Sequence, residues 1–310
     1  KRVVEAAERL GYRPHPLARG LRTNQTMSIG MVIPDVENPL FGPIVAGAES
    51  VLVEEGYSLL IGNADRGIEH AEAVIQDMIE RHVDGLVLAT ATRDDGQLAA
   101  ATSQGVPVVL VNRTTDRGDV PAIIGDDHAG ITLAVDHLVS LGHRRIGHVA
   151  GPSWVSTGHD RRQGFVAAME RHGLYAGPDV IEEAEWTEVE PGAAAASALL
   201  ERHPDTTAIV AANDLLALGC YRAIRSLGKE VGSDISVTGY NDIPLLDLMQ
   251  PPMTAVRVPH RQMGAEAAAT LLAMIAGTEH TRGTKRLTPT LVVRGSTAPP
   301  RTAPCSIGAI

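Results

Sequence analysis

Polar residues able to hold a small hydroxylated molecule recur in this chain directly after short apolar runs. Asn38 and Phe41 follow the run that ends at Ile33. Asn63, Asp65 and Arg66 follow the next, then comes Thr90, and then Asn112 with Arg113. In the later half, comparable positions hold residues Trp154 to Arg161, Trp186, Asn213-Asp214 and Asn241-Asp242. If the runs are strands of open α/β sheets, these residues lie outside the strand carboxyl ends, where such sheets bind ligands. Asn, Asp, Arg and Thr together offer the donors and acceptors that a polyol requires. Phe41, Trp154 and Trp186 could stack on a sugar's apolar face. Core packing competes as a reading for Phe41 and for Trp186, and a helix-start cap competes with a ligand role for Asp214.

Catalytic chemistry finds no support. Ser153, His159 and Asp160 do not form a nucleophile elbow. The 12 histidines include no i,i+4 pair and no His-Glu-x-x-His. Neither a phosphate-cradling loop nor G-x-G-x-x-G occurs, so no cofactor is expected. Cys220 and Cys305 form no disulfide framework. Cys220, in an apolar helical run, reads as inert core.

Charge separates the chain into two parts. Residues 1–22 carry Lys1, Arg2, Arg9, Arg13, Arg19 and Arg22 against Glu5 and Glu8, a net of +4. The whole 310-residue chain carries −10, which leaves −14 on the remainder. A basic arm on an acidic body suits a DNA-facing end joined to a sensor. With no secretory segment and no membrane span in the sequence, the cytoplasm is expected and no membrane partner.

The elements that must position these residues can be read from periodicity. Val3, Val4, Ala7 and Leu10 have helical spacing, and Gly11 ends that run. Pro14 and Pro16 stop it, and Pro16 suits the first turn of a second, roughly two-turn helix carrying Leu17, Ala18 and Leu21 on one face. So short a helix is marginal by itself and needs a partner helix or DNA. From Ser28 the rhythm changes. Strands over 28–33, 57–62, 84–89 and 106–111 alternate with helices near 41–55, 67–81 and 94–103. Continuous apolar strands in such alternation imply a parallel sheet covered on both faces. The pattern then repeats. Ile29-Gly30-Met31-Val32 is echoed by Ile146-Gly147-His148-Val149, Gly85–Leu88 near Ala208–Ala211, and Val106–Val111 near Ile235–Gly239.

Tyr12-x-Pro14-x-x-x-Ala18-Arg19-x-Leu21 resembles the hinge-helix signature of the lactose-repressor (LacI/GalR) family of bacterial transcription regulators. The resemblance implies Leu21 as a minor-groove wedge, close pairing of hinge helices at Ala18, and DNA contacts from Tyr12, His15, Arg19 and Arg22. The family usually has Asn where this chain has His15. Three further segments carry the resemblance. Gly151-Pro152 through Arg161 to Gly164-Phe165 implies that Arg161 holds a ligand hydroxyl or carboxylate. Ala212-Asn213-Asp214-x-x-Ala217-x-Gly219 implies a ligand-facing Asn213 and an Asp214 that holds its turn. Gly239-Tyr240-Asn241-Asp242 has an asparagine, Asn241, where the ligand-facing acid usually stands, which suggests a different hydroxyl pattern or an anionic group.

The expectation is therefore an α/β protein of two doubly wound parallel-sheet lobes of the type I periplasmic-binding-protein kind, preceded by a helical DNA-binding remnant and a hinge helix. Residues 1–12 would be the last helix of a truncated headpiece and 13–26 the hinge helix and linker. The first lobe would span about 27–126 plus 254–283, the second about 127–253 plus 284–297, and 298–310 would be a disordered tail. A homodimer, pairing through helices near 67–81 and 94–103, would bind operator DNA when the headpiece is complete. A small effector, with a sugar favoured, would sit among Asn38, Phe41, Asp65, Arg66, Thr90, Arg113, Arg161, Trp186, Asn213 and Asn241. A periplasmic-type sugar-binding transport protein of the same fold is the alternative.

Overall fold

A computed structural model of the chain describes residues 25–64, 68–94, 98, 101–102, 104–185, 187–278 and 283–301. The expected headpiece helix and the hinge helix, with Tyr12, His15, Ala18, Arg19, Leu21 and Arg22, lie outside the described residues. So do Asp65, Arg66, Trp186, most of the helix expected near 94–103, and residues 302–310.

The first sheet begins with β1 (Ser28–Ile33), β2 (Ser58–Asn63), β3 (Gly85–Leu88), β4 (Val108–Val111) and β5 (Ala122–Gly125). With β11 (Thr284–Leu287) its order is β11-β5-β4-β3-β1-β2, parallel throughout. The second contains β6 (Ile146–Ala150), β7 (Ile181–Glu183), β8 (Ala208–Ala211), β9 (Ser236–Asn241), β10 (Thr254–Arg257) and β12 (Thr290–Val292). Its order is β12-β10-β9-β8-β6-β7, with only β12 antiparallel to its neighbour. Central strands such as β3, β4 and β8 are buried along their whole length. This is why they read as continuous apolar runs: helices cover both faces. The edge strand β2 differs, leaving Leu60 and Ile61 exposed.

The helices are α1 (Phe41–Glu54), α2 (Ile68–Glu80), α3 (Asp127–Ser140), α4 (Ser156–Arg171), α5 (Val189–Arg202), α6 (Asp214–Ser226) and α7 (His260–Ile275). α1 and α7 approach backbone to backbone. A Cβ at Gly47 would lie 1.9 Å from the Arg261 carbonyl oxygen, and one at Gly264 1.9 Å from that of Ile44. Only glycine permits this approach.

The lobe limits differ from the expected ones. Thr254–Arg257 was expected to return to the first lobe, but it pairs with β9 from Thr254↔Thr238 onward and belongs to the second sheet. The chain crosses back only at α7. Thr284–Leu287, expected in the second lobe, pairs with β5 in the first sheet. Short apolar strands carry no mark of which sheet they will join; the hydrogen-bond ladder decides. The tail is also ordered further than expected. Ala298 N–H donates to Ser236 Oγ (3.1 Å), His143 Nε2 lies 2.8 Å from the Ala298 oxygen, and Arg301 pairs with Asp234. Among the described residues, no helix is long and apolar enough to cross a membrane.

Candidate functional site: a polar cleft between the lobes

The carboxyl ends of both sheets open onto one cleft of about 1060 Å³. From the first lobe come Asn38 and Phe41 after β1, Thr90 and Thr92 after β3, and Asn112 with Arg113 after β4. From the second come Trp154, Thr157 and Arg161 after β6, Asn213 after β8 and Asn241 at the end of β9. Seven residues expected to contact a ligand therefore line one space: Asn38, Phe41, Thr90, Arg113, Arg161, Asn213 and Asn241. Asp65, Arg66 and Trp186 are the three that lie outside the described residues.

Some of these side chains are already engaged. Asn38 Oδ1 accepts from Leu40 N–H (3.1 Å), closing the turn that leads into α1. Asn63, at the end of β2, accepts from Val36 N–H (3.0 Å) and pins the same loop. Phe41 opens α1 with its side chain buried, as the core-packing reading has it, and also lines the cleft. Asn213 is the N-cap of α6: its Oδ1 accepts from Leu216 N–H (2.8 Å). The capping role considered for Asp214 thus belongs to Asn213, and Asp214 Oδ2 instead accepts from Ile243 N–H (2.9 Å). Burial pushes the Asp214 carboxyl up to about 8 against that hydrogen bond.

Arg161 forms the floor. Its Nε donates to Asp127 Oδ1 (2.8 Å), its Nη1 to the Ala212 oxygen (2.7 Å), and its guanidinium lies 3.9 Å over the Tyr240 ring. Gly130 makes room for that ring, since a Cβ there would lie 2.4 Å from the Tyr240 hydroxyl. Burial opposes the Arg161 charge, but Asp127, Tyr240 and Asp214 together outweigh it and hold the guanidinium above its ordinary range. Arg113 is different. Burial, and then the like charge of Arg161, push it down to about 10, so it remains cationic at neutral pH. Its Nε is buried and unpartnered among the described residues, as are Thr90 Oγ1 and Asn241 Oδ1.

The backbone beneath these groups is strained. Asn112 has φ 66°, Asn241 φ 111° and Asp242 φ 57°, a region that L side chains rarely occupy. Such geometry persists only where the surroundings over-determine it. At β9 they do: buried Asp242 accepts from Arg257 Nε and Arg294 Nη1 (both 2.7 Å), and Asp214 holds Ile243.

Two features were missed in the sequence. One is an acidic rim, with Glu37, Glu69, Glu188 and Glu190 on cleft-lining loops; single charged residues in loops carry no periodic signal. The other is a set of cross-cleft contacts. Arg93 N–H donates to the Trp154 oxygen (3.1 Å), Arg93 Nη1 to the Ser153 oxygen (3.3 Å), and Thr114 N–H to Ser156 Oγ (3.0 Å). Ser153 Oγ itself donates to Glu183 (3.0 Å).

Fold and site together define a domain of the periplasmic-binding-protein-like kind. A family model for the periplasmic binding protein-like domain matches residues 135–297. The chain is 37% identical to the HTH-type transcriptional regulator MalR of Streptomyces coelicolor, over 96% of this chain and 87% of that protein. Among solved structures it is similar to a lac repressor dimer bound to operator and the anti-inducer ONPF (TM-score 0.85, 28% identity, 96% and 89% coverage). It is also similar to a CelR–cellobiose complex (TM-score 0.82, 30% identity, 95% and 89% coverage). The chain belongs to the LacI family of HTH-type transcriptional regulators, and these relatives are regulators, not enzymes.

Proposed function

We propose that this regulator represses transcription and that its interlobe cleft binds a small polar effector, with a sugar favoured. The observation that carries the reading is the trio of unpartnered polar atoms, Thr90 Oγ1, Arg113 Nε and Asn241 Oδ1, in residues lining one cleft. Buried polar groups left without partners cost about 1–3 kcal/mol each, and a hydroxylated ligand would satisfy them. Phe41 offers a ring at the same wall. The cellobiose held by the similar CelR structure agrees with a sugar.

The protein works as a homodimer on two-fold operator DNA. The exposed apolar edge of β2, with Leu60 and Ile61, supports pairing through the first lobe, next to α2. Effector in the cleft sets the angle between lobes, and the first lobes carry that change to the hinge segments at residues 13–26. Coupling of roughly 1–3 kcal/mol is typical of such linkage. A transport role fits less well, because the match to HTH-type regulators covers 96% of the chain. The test is operator affinity of the full-length protein, measured with and without a cleft ligand found by thermal shift. A change of about fivefold or more is expected; unchanged affinity with the cleft occupied overturns the coupling.

A further inference from the structure

We infer that the effector carries an anionic oxyacid group, a carboxylate or a phosphate, seated between Arg113 and Arg161 on the cleft floor. The inference rests on the proposed effector cleft and specifies the ligand's charge.

The floor holds two guanidinium groups, and two buried acids lie beside Arg161: Asp214, whose carboxyl burial pushes up to about 8, and Asp127, which is left as the carboxylate. That carboxylate, Asp127, is committed to Arg161 by a 2.8 Å hydrogen bond. Arg113 makes no ion pair among the described residues, its Nε is buried without a partner, and the charged group that acts on it, after burial, is the like-charged Arg161. The polar positions closest in role to a neutralising acid are asparagines: Asn112 follows β4 directly before Arg113, and Asn241 ends β9. Both stand at positive φ, so the strained backbone presents a neutral amide at each site. A neutral polyol could satisfy the amides but would leave the half-buried Arg113 guanidinium without a counter-charge. An oxyanion supplies the charge and matches the planar fork of donors that arginine offers.

The acidic rim does not reverse this. Glu37, Glu69, Glu188 and Glu190 are exposed, Arg222 pairs with Glu190, and the half-buried Asp35 on the same wall accepts from Glu37 N–H (2.8 Å). Charges in water are screened over about 8 Å at physiological salt, whereas the floor is desolvated. The rim instead selects against a second anionic group at the mouth, so the ligand is expected to carry a single oxyacid group at the floor and hydroxyls outward.

The test is calorimetric titration of the full chain with matched sets: glucose, glucuronate, gluconate and glucose 6-phosphate, and the galactose counterparts. The expected result is that one anionic member binds roughly tenfold to a hundredfold tighter than its neutral parent, the size of a charge-assisted hydrogen bond. Arg113→Gln abolishes that preference and Arg113→Lys keeps part of it. Thermal melts of ligand-free Arg113→Gln check that the variant folds, and it should melt no lower than wild type because a like-charge repulsion is gone. Preference for acids over phosphates, or the reverse, identifies the oxyanion. A neutral parent that binds as tightly as its acids and phosphates overturns the anionic group while leaving the effector cleft standing. A preference that survives Arg113→Gln overturns the seat. Failure of every sugar and derivative to bind overturns the sugar-effector reading itself, and the inference with it.

Discussion

At the scale of single residues, the floor of the cleft is governed by what burial does to charge. Arg161 and Asp127 are both buried and depend on each other. Arg161→Met should therefore lower the unfolding free energy by about 3–5 kcal/mol, because it strands a buried carboxylate. Replacing Asp127 by Leu in the same chain should recover much of that loss, and urea unfolding of the two variants checks it. Asp214 makes a pH prediction. Its folded carboxyl titrates at about 8, above the ordinary 3.8. A folded state that holds its proton more tightly than the unfolded chain is stabilised at low pH and loses that stability as pH rises through the folded value. Wild-type stability should decline between about pH 4 and 8 more steeply than that of Asp214→Asn, which keeps an acceptor for Ile243. Parallel pH profiles of Tm for the two proteins decide the matter. Asn213 shows how a residue's type can be legible and its role not. Its position at the end of β8 was clear, but only the 2.8 Å bond to Leu216 N–H shows its oxygen spent on the cap.

At the scale of elements, two junctions matter. The first is the α1–α7 contact, where Gly47 and Gly264 let the backbones touch. Gly264→Ala forces the helices apart and should cost about 1–3 kcal/mol, read as a lower midpoint in chemical denaturation. The sequence shows two glycines inside helical runs but not that they face each other across more than 200 residues. The second junction is the turn after β9. Asp242 sits between Arg257 and Arg294 and keeps Asn241 at positive φ. Asp242→Asn should weaken effector binding by tenfold or so, in line with loss of charge-assisted hydrogen bonds, while the far-ultraviolet circular dichroism stays native. Unaltered affinity would mean that the turn holds its shape without the ion pairs.

At the scale of the whole molecule, the two lobes meet across the cleft through Arg93, which reaches the Ser153 and Trp154 carbonyls while pairing with Asp116. These contacts hold the cleft mouth together at its side. Arg93→Ala removes the side-chain bond to the Ser153 oxygen and the pair with Asp116, and should open the ligand-free protein. Small-angle scattering would register a larger radius of gyration that returns toward the wild-type value on effector binding. Equal radii in both proteins would show that the lobe angle is set elsewhere.

The sequence by itself determined the class of fold. Apolar strands alternating with helices, repeated at offsets of 117 to 129 residues, leave little besides two covered parallel sheets, because strands buried on both faces must be apolar throughout. Short motifs around Arg161, Asn213 and Asn241 placed much of the cleft wall, since strand carboxyl ends are marked by the polar residues that follow them. Tertiary structure alone decided the rest. Which sheet takes Thr254–Arg257 and Thr284–Leu287 depends on hydrogen-bond ladders between distant segments, and local periodicity carries no record of them. That Asp127 neutralises Arg161 while Arg113 keeps its charge unpaired is likewise a matter of distances across the fold. The identity of a residue states what it can donate or accept, and only its neighbours in space state what has already been satisfied.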